Sequence, residues 1–178
     1  IEAIEIISGS AGVLFGESAV GGVINIITRK PGSQANVEVS GGSYANKQYR
    51  ASIADRTENW DLAVSAEKRQ ADNYRDHNHS DTETVDLEIG HILNSGRVWL
   101  ELSGSNEQQQ LPGGLFSGEY AVNRKASRNN TDFLDGQYRT YRGGANVALN
   151  QQWQLEMDIT HRVDDIDGSQ VAFGSPSA

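Results

Sequence analysis

The stretch "WQLEMDIT" (residues 153–160) alternates without a break. Trp153, Leu155, Met157 and Ile159 fall on one face, and Gln154, Glu156, Asp158 and Thr160 on the other. Successive side chains of a strand point to opposite sides, so this period of two predicts a strand with one apolar and one polar face. A helix would need apolar residues at i, i+3, i+4 and i+7. The same alternation recurs elsewhere in the chain. "RVWLELSG" (97–104) sets Val98, Leu100 and Leu102 against Glu101 and Ser103, with Trp99 on the polar side. "TVDLEIG" (84–90) and "WDLAVSAE" (60–67) repeat it, "TYRGGANVALN" (140–150) does so more weakly, and the segments at 35–44 and 47–56 keep the period with fewer apolar residues. The fold class expected is all-β.

The connections carry the next layer of information. "RTEN" (56–59), "NSG" (94–96) and "NQQ" (150–152) are tight, whereas the links at 70–81 and 108–136 and the one after Asp164 are long and polar. Antiparallel neighbours send alternate connections to opposite ends of a sheet. Tight turns therefore gather at one end and long loops at the other, apart from an early hairpin at "SYANK" (43–47). Bacterial outer-membrane barrels have this layout. Trp60 and Trp153 each open a strand after a tight turn on the apolar face, where a membrane barrel carries an aromatic girdle. The competing reading is a soluble β-sandwich with tryptophans at the edge of its core; a link as long as 108–136 counts against it.

Composition narrows the function classes. The chain has 178 residues, a net charge of −9 and 19 glycines, and only 37% of it is hydrophobic. Its pI is near 4.8 and its mean hydropathy is −0.56. An acidic chain is a poor partner for nucleic acid, which needs a basic surface. Without cysteine, disulfides and thiolate metal sites are excluded. No apolar run reaches the roughly 18 residues of a helical span, but barrel strands alternate and leave hydropathy low. The start at Ile1 within a strand-like pattern and the loop-like "VAFGSPSA" at 171–178 read as cuts in a longer protein.

One segment stands apart: "GESAVGGVINIITRKPG" (16–32). Gly16 and Gly21 have the spacing of a phosphate-binding loop, but Gly22 and Val23 stand where Lys and Ser/Thr belong, and a strand rather than a helix follows. A dinucleotide fingerprint fails on spacing and context. The glycines instead suit positive φ and close backbone packing in a tight turn.

Residues 1–31, "IEAIEIISGSAGVLFGESAVGGVINIITRKP", resemble the end of the plug domain of TonB-dependent outer-membrane receptors. The match includes Ile1, Glu2, Ile4, Glu5, Gly9, Leu14, Gly16, Ala19, Gly21, Gly22, Val23, Ile24, Asn25, Ile26, Ile27 and Thr28, with Phe15 for the usual tyrosine. Ser8-Gly9-Ser10 replaces the family's Arg-Gly-Pro, and Ala3 replaces another arginine that the family uses in plug–barrel ionic contacts. The resemblance implies a plug end at 1–32, with Gly9, Gly16, Gly21, Gly22 and Asn25 in structural roles, followed at 33–178 by the first strands of the barrel. The architecture expected is a partial transmembrane antiparallel β-barrel, about seven strands of the roughly 22 such transporters close with. It further implies a multi-pass protein of a Gram-negative outer membrane that imports a scarce nutrient, foremost a ferric siderophore or similar iron complex. Its partners would be TonB, through a segment absent from this chain, outer-membrane lipid and a small-molecule metal complex. No cofactor and no enzymatic activity are implied. An open sheet leaves two unpaired edges that lipid cannot satisfy, so the remaining strands are expected from the same longer chain.

No catalytic set emerges from spacing. His77 and His79, with Asp76 or Asp81, could hold a divalent ion or be solvated in a polar loop; His91 and His161 are isolated in strands. Ligand contact is expected in the long loops, at Tyr74, Arg75, His77 and His79 and at Leu115, Phe116, Tyr120 and Arg124, with Leu111, Lys125 and Arg128 nearby. Aromatic and basic groups together suit an anionic, partly aromatic ligand; the same residues could instead pack loop against loop. The alternative functions are a surface adhesin or structural outer-membrane protein without transport, and a hydrolase on a β-barrel scaffold.

Overall fold

The computed structural model describes residues 3–9, 22–27 and 32–169, and the chain divides into two compact units, Ile1–Gly32 and Ser33–Ala178. In the first, β1 (Ala3–Ser8) and β2 (Gly22–Ile27) pair antiparallel, from Ala3 opposite Ile27 to Ser8 opposite Gly22. Gly22 has φ +144° and a Cβ there would stand 2.7 Å from the carbonyl oxygen of Ile7; Gly9 has φ +99°. Both conformations favour glycine. Asn25 lies in β2 opposite Glu5. Gly16 and Gly21 lie outside the described residues.

The second unit is one seven-stranded antiparallel sheet in which each strand pairs with the next. Its strands are β3 (Gln34–Gly41), β4 (Lys47–Arg56), β5 (Trp60–Ala71), β6 (Ser80–Leu93), β7 (Gly96–Gln110), β8 (Phe133–Ala148) and β9 (Gln154–Ser169). Links 57–59, 94–95 and 149–153 fall at one end, and links 42–46, 72–79 and 111–132 at the other. The first set is closed locally. Thr57 N–H donates to the Trp60 carbonyl at 2.8 Å, and the Asn150 carboxamide accepts from Gln152 N–H at 2.8 Å and Trp153 N–H at 3.0 Å. At Gly96 a Cβ would come within 2.0 Å of the Asn146 carbonyl oxygen, so only glycine lets β7 leave its turn so close to β8.

Several strands run further than alternation predicts. β7 continues to Gln110 and β8 begins at Phe133, which shortens the expected 108–136 link; β5 reaches Ala71 and β6 begins at Ser80, which shortens the 70–81 link; and β9 runs past Asp164 to Ser169. In these extensions the apolar residues, Phe133, Leu134 and Ile166, no longer alternate with polar ones over several positions, so the period disappears while backbone pairing persists, as Gln110 opposite Phe133 shows. The loop at 111–132 also holds a short helix, α1 (Ser117–Val122), whose first turn is capped when the Glu119 carboxylate accepts the Phe116 N–H at 2.8 Å.

This unit has almost no core. Among described apolar residues only Ala54 and Ala71 are buried, while Val37 is 77% exposed, Ile159 61% and Trp153 67%. Within this unit the described strands all lie in one sheet, which counts against the sandwich reading. The exposed apolar residues form a band on one face: Val37 and Val39, Ile53, Trp60 and Leu62, Val85 and Ile89, Val98 and Leu100, Tyr141, Leu155, Met157 and Ile159. Along Val85–Leu93 and Tyr141–Leu149 the band matches the roughly 9–11 residues a tilted transmembrane strand needs. Beyond it, toward the long loops, the same face turns polar: Lys68 pairs with Glu83 and Asp81, and the Arg139 guanidinium donates to Asn106 Oδ1 at 3.2 Å. No described helix is long and apolar enough to cross a membrane.

Candidate ligand-facing loop site and polar wall

The long connections do not wave independently. Arg75, in the 72–79 link, donates from its guanidinium to the carbonyls of Ala126 (2.7 Å), Gly113 (2.5 Å) and Pro112 (3.3 Å), all in the 111–132 link. Beside it, Asp76 N–H donates to the Lys125 carbonyl at 2.8 Å, and His77 Nε2 lies 2.8 Å from the Asp132 carbonyl oxygen. A planar guanidinium presents five donors in a fixed fork and reaches carbonyls spread wider than the three donors of a lysine ammonium can. These contacts hold the two loops together without an apolar core.

Between them opens a pocket of about 310 Å³ whose lining includes Tyr44, Asp72, Tyr74, His79, Gln110 and Lys125. The Tyr44 and Tyr74 rings meet edge to face, with centroids 5.9 Å apart, and Lys125 Nζ lies 5.6 Å from the Tyr74 ring centre. His79 Nδ1 is 2.8 Å from Asp72 Oδ1. Thus Tyr74, Arg75, His77 and His79 come together here. Leu115, Phe116, Tyr120 and Arg124 sit elsewhere on the 111–132 loop. There Arg128 covers the Phe116 ring at 3.9 Å and Arg124 faces the Tyr120 ring at 5.3 Å. Leu115 is half-buried, whereas Phe116 and Tyr120 are exposed. No group of three or more His, Asp or Glu residues is placed to hold a metal ion among the described residues.

Sequence reasoning missed Tyr44, which reaches the pocket from the early hairpin at 42–46. Its φ of +59°, followed by Ala45 at +52°, turns the chain there. It also treated His91 and His161 as isolated. Each is the direct cross-strand partner of an aromatic residue: His91 meets Trp60 at 4.4 Å with the rings tilted by 43°, and His161 stacks on Tyr141 at 6.1 Å.

The polar face of the sheet is a network of cross-strand pairs. The Arg50 guanidinium bonds Glu67 at 2.8 Å and lies 3.7 Å from Glu38. Asp86 accepts from Ser65 at 3.0 Å and Ser103 at 2.6 Å. Arg97 bridges Asp61 and Glu88, and Arg142 joins Glu101 (3.3 Å) to Asp158 (3.0 Å). Each of the three arginines serves two carboxylates, so the wall is hydrogen-bonded across strands and keeps an acidic excess, an arrangement suited to a hydrated interior.

No protein-family model matches the chain. Over 51 residues, 29% of its length, it is 37% identical to the pesticin receptors of Yersinia enterocolitica and Yersinia pestis, a stretch that makes up 8% of those proteins. In structure it resembles the ferric citrate transporter FecA in its unliganded form, with a TM-score of 0.79 and 19% identity over 94% of this chain and 27% of that one. It also resembles the ferric-catecholate import receptor Fiu from E. coli K12, with a TM-score of 0.70 and 19% identity over 92% and 28%. The chain thus spans about a quarter of the solved proteins it resembles.

An open apolar face, a polar wall opposite it and loops gathered at one end define a section of an outer-membrane β-barrel. With the comparisons, they show the fold of one section of a β-barrel like those of the two solved proteins.

Proposed function

We propose that the complete protein imports a scarce nutrient, a ferric siderophore or similar iron complex, across the outer membrane with energy delivered by TonB. Residues 1–32 would end the plug and residues 33–178 would begin the barrel, a division in keeping with the two compact units. TonB would bind a segment outside this chain, lipid would meet the apolar band, and the metal complex would first meet the 72–79 and 111–132 loops. The observation that carries the reading is the sheet itself: seven strands with an uncovered apolar band and every long link at one end. The names of two similar proteins, a ferric citrate transporter and a ferric-catecholate import receptor, favour iron as the cargo. The test is uptake of radiolabelled iron, supplied as ferric citrate or ferric 2,3-dihydroxybenzoate, by cells with and without the gene. Gene-dependent uptake that stops when the proton-motive force collapses supports the proposal. Equal uptake from both complexes with and without the gene contradicts it and favours an adhesin or structural protein.

A further inference from the structure

We infer that Arg139, on the apolar-band face of β8, holds a phosphate group of an outer-leaflet lipid, with Tyr141 and His161 just below it at the edge of the band. This goes beyond the proposed import activity, because it concerns the outward surface of the sheet. It rests on that face meeting lipid.

The register sets the heights. Trp60 shares one cross-strand row with His91, Val98, Ala145 and Met157, and Trp153 lies four residues further along β9, toward the tight turns. With both indoles at one interface, about 13 Å along the strand is set against about 19 Å across four strand spacings, a tilt of about 35° and within the range of closed barrels. His161 then stands about 22 Å above Trp153, close to the roughly 25 Å between the two aromatic girdles of outer-membrane barrels. Tyr141, stacked on His161 at 6.1 Å, and Tyr49 on β4 lie within about 3 Å of the same border. Arg139 comes next along this face of β8, opposite Val163 and about 24 Å above the indoles. That is headgroup depth on the long-loop side, which faces outward in such barrels.

The charge of Arg139 is uncompensated. Its guanidinium donates to the carbonyls of Ser105 (3.2 Å) and Tyr138 (2.8 Å) and to Asn106 Oδ1 (3.2 Å), all neutral, and no carboxylate lies within ion-pair distance among the described residues. The side chain lies across Gly104, its Cδ 3.7 Å from where a Cβ would stand, so the guanidinium leans toward β7. Arg139 Nε has no hydrogen-bond acceptor among the described residues, and Asn106, which accepts at Oδ1, keeps its own N–H donors. Such donors suit a phosphate, which arginine binds through charge-assisted and often bidentate hydrogen bonds. The nearby carboxylates are placed elsewhere. Glu83, opposite Asn106, is drawn 2.5 Å from Lys68, which also lies 3.5 Å from Asp81. Asp165, Asp135 and Asp167 stand about 8–14 Å higher, toward the loops. Lys68 is thus engaged at this height, and Arg139 is not.

The experiment uses the complete receptor purified in detergent, with native mass spectrometry to follow the lipid that stays bound. The probes are diphosphoryl lipid A and the same lipid A stripped of both phosphates, with inorganic phosphate as a competing arm. Wild type should retain the phosphorylated lipid about tenfold better, the scale of one charge-assisted contact. Arg139→Ala should lose that preference, Arg139→Lys should keep part of it, and Lys68→Ala should keep it. Inorganic phosphate at equal concentration should not displace the lipid. An unchanged heat-modified gel shift verifies that each variant folds. Equal preference in wild type and Arg139→Ala overturns the inference, as does wild-type retention that ignores the phosphates or yields to inorganic phosphate. If spin labels on β7 still report lipid at position 100 in that case, the barrel reading stands and only this contact falls.

Discussion

Trp99 and Gly144 face each other across β7 and β8 on the polar side of the sheet, and the indole fills the space a side chain at 144 would need. A Cβ there would stand 2.6 Å from Trp99 Cζ2 and 2.7 Å from the Met157 carbonyl oxygen, while Arg142 lies 5.4 Å from the same ring. This explains both oddities of the local sequence, a tryptophan on the polar face and a glycine in mid-strand. Gly144→Ala should destabilise the barrel by about 1–3 kcal/mol, the usual cost of overpacking, and Gly144→Val by more. Thermal melting of the detergent-solubilised receptor, followed by gel mobility, measures it. A melting temperature equal to wild type would show that the indole moves aside freely.

A related pair separates structural from incidental charge. Arg97 and Asp61 are 18% and 17% exposed, whereas Arg162 and Asp164 are 58% and 37% exposed. Arg97→Ala removes the partner of two carboxylates in a sheltered spot and should cost about 1–3 kcal/mol. Arg162→Ala should cost less than about 1 kcal/mol because water screens that pair. The same melting assay decides, and equal effects would contradict the ranking.

The two faces of β7 should respond oppositely to charge. Leu100→Arg puts a cation on the apolar band, where about 2–4 kcal/mol is lost at the bilayer midplane. Ser103→Arg adds the same charge to the polar wall beside Asp86 and should be tolerated. The yield of folded protein in the outer-membrane fraction reads the difference; equal yields would mean that Leu100 does not meet lipid.

Arg75→Ala should free the 111–132 loop without loosening the strands. Limited proteolysis should then cut that loop several-fold faster while the melting temperature stays at the wild-type value. Arg75→Lys should not restore protection, since an ammonium cannot span the Pro112, Gly113 and Ala126 carbonyls. Unchanged cleavage in both variants would remove Arg75 from its positioning role.

The sheet was legible where its two faces differ. Val98, Leu100 and Leu102 against Glu101 and Ser103 are enough to mark a strand and its sides, and the spacing of turns gives the direction of each connection. The outer reaches of β7, β8 and β9 were not legible, because Gln108, Gln109, Gln110 and Gln137 offer no contrast between faces. The loop site was legible in its residue types and illegible in its roles. Arg75 looks like a ligand contact in sequence, and only the approach of the 111–132 link reveals that backbone carbonyls take its donors. Tyr44 lies in a short hairpin that carries no signal of a pocket, and the contact of His91 with Trp60 follows from a register that composition does not give.

The central claim is that the apolar face of the seven-stranded sheet meets lipid and the polar face meets a hydrated interior. This chain has no cysteine, so single cysteines can be placed along residues 97–104 of β7 in the complete receptor and spin-labelled in outer membranes. Collision with oxygen, which concentrates in lipid, and with a water-soluble nickel chelate then reports the surroundings of each site. The account predicts a period of two, with positions 98, 100 and 102 accessible to oxygen and 97, 101 and 103 to the chelate. Uniform accessibility to the chelate along the strand, or a period near 3.6, would contradict it.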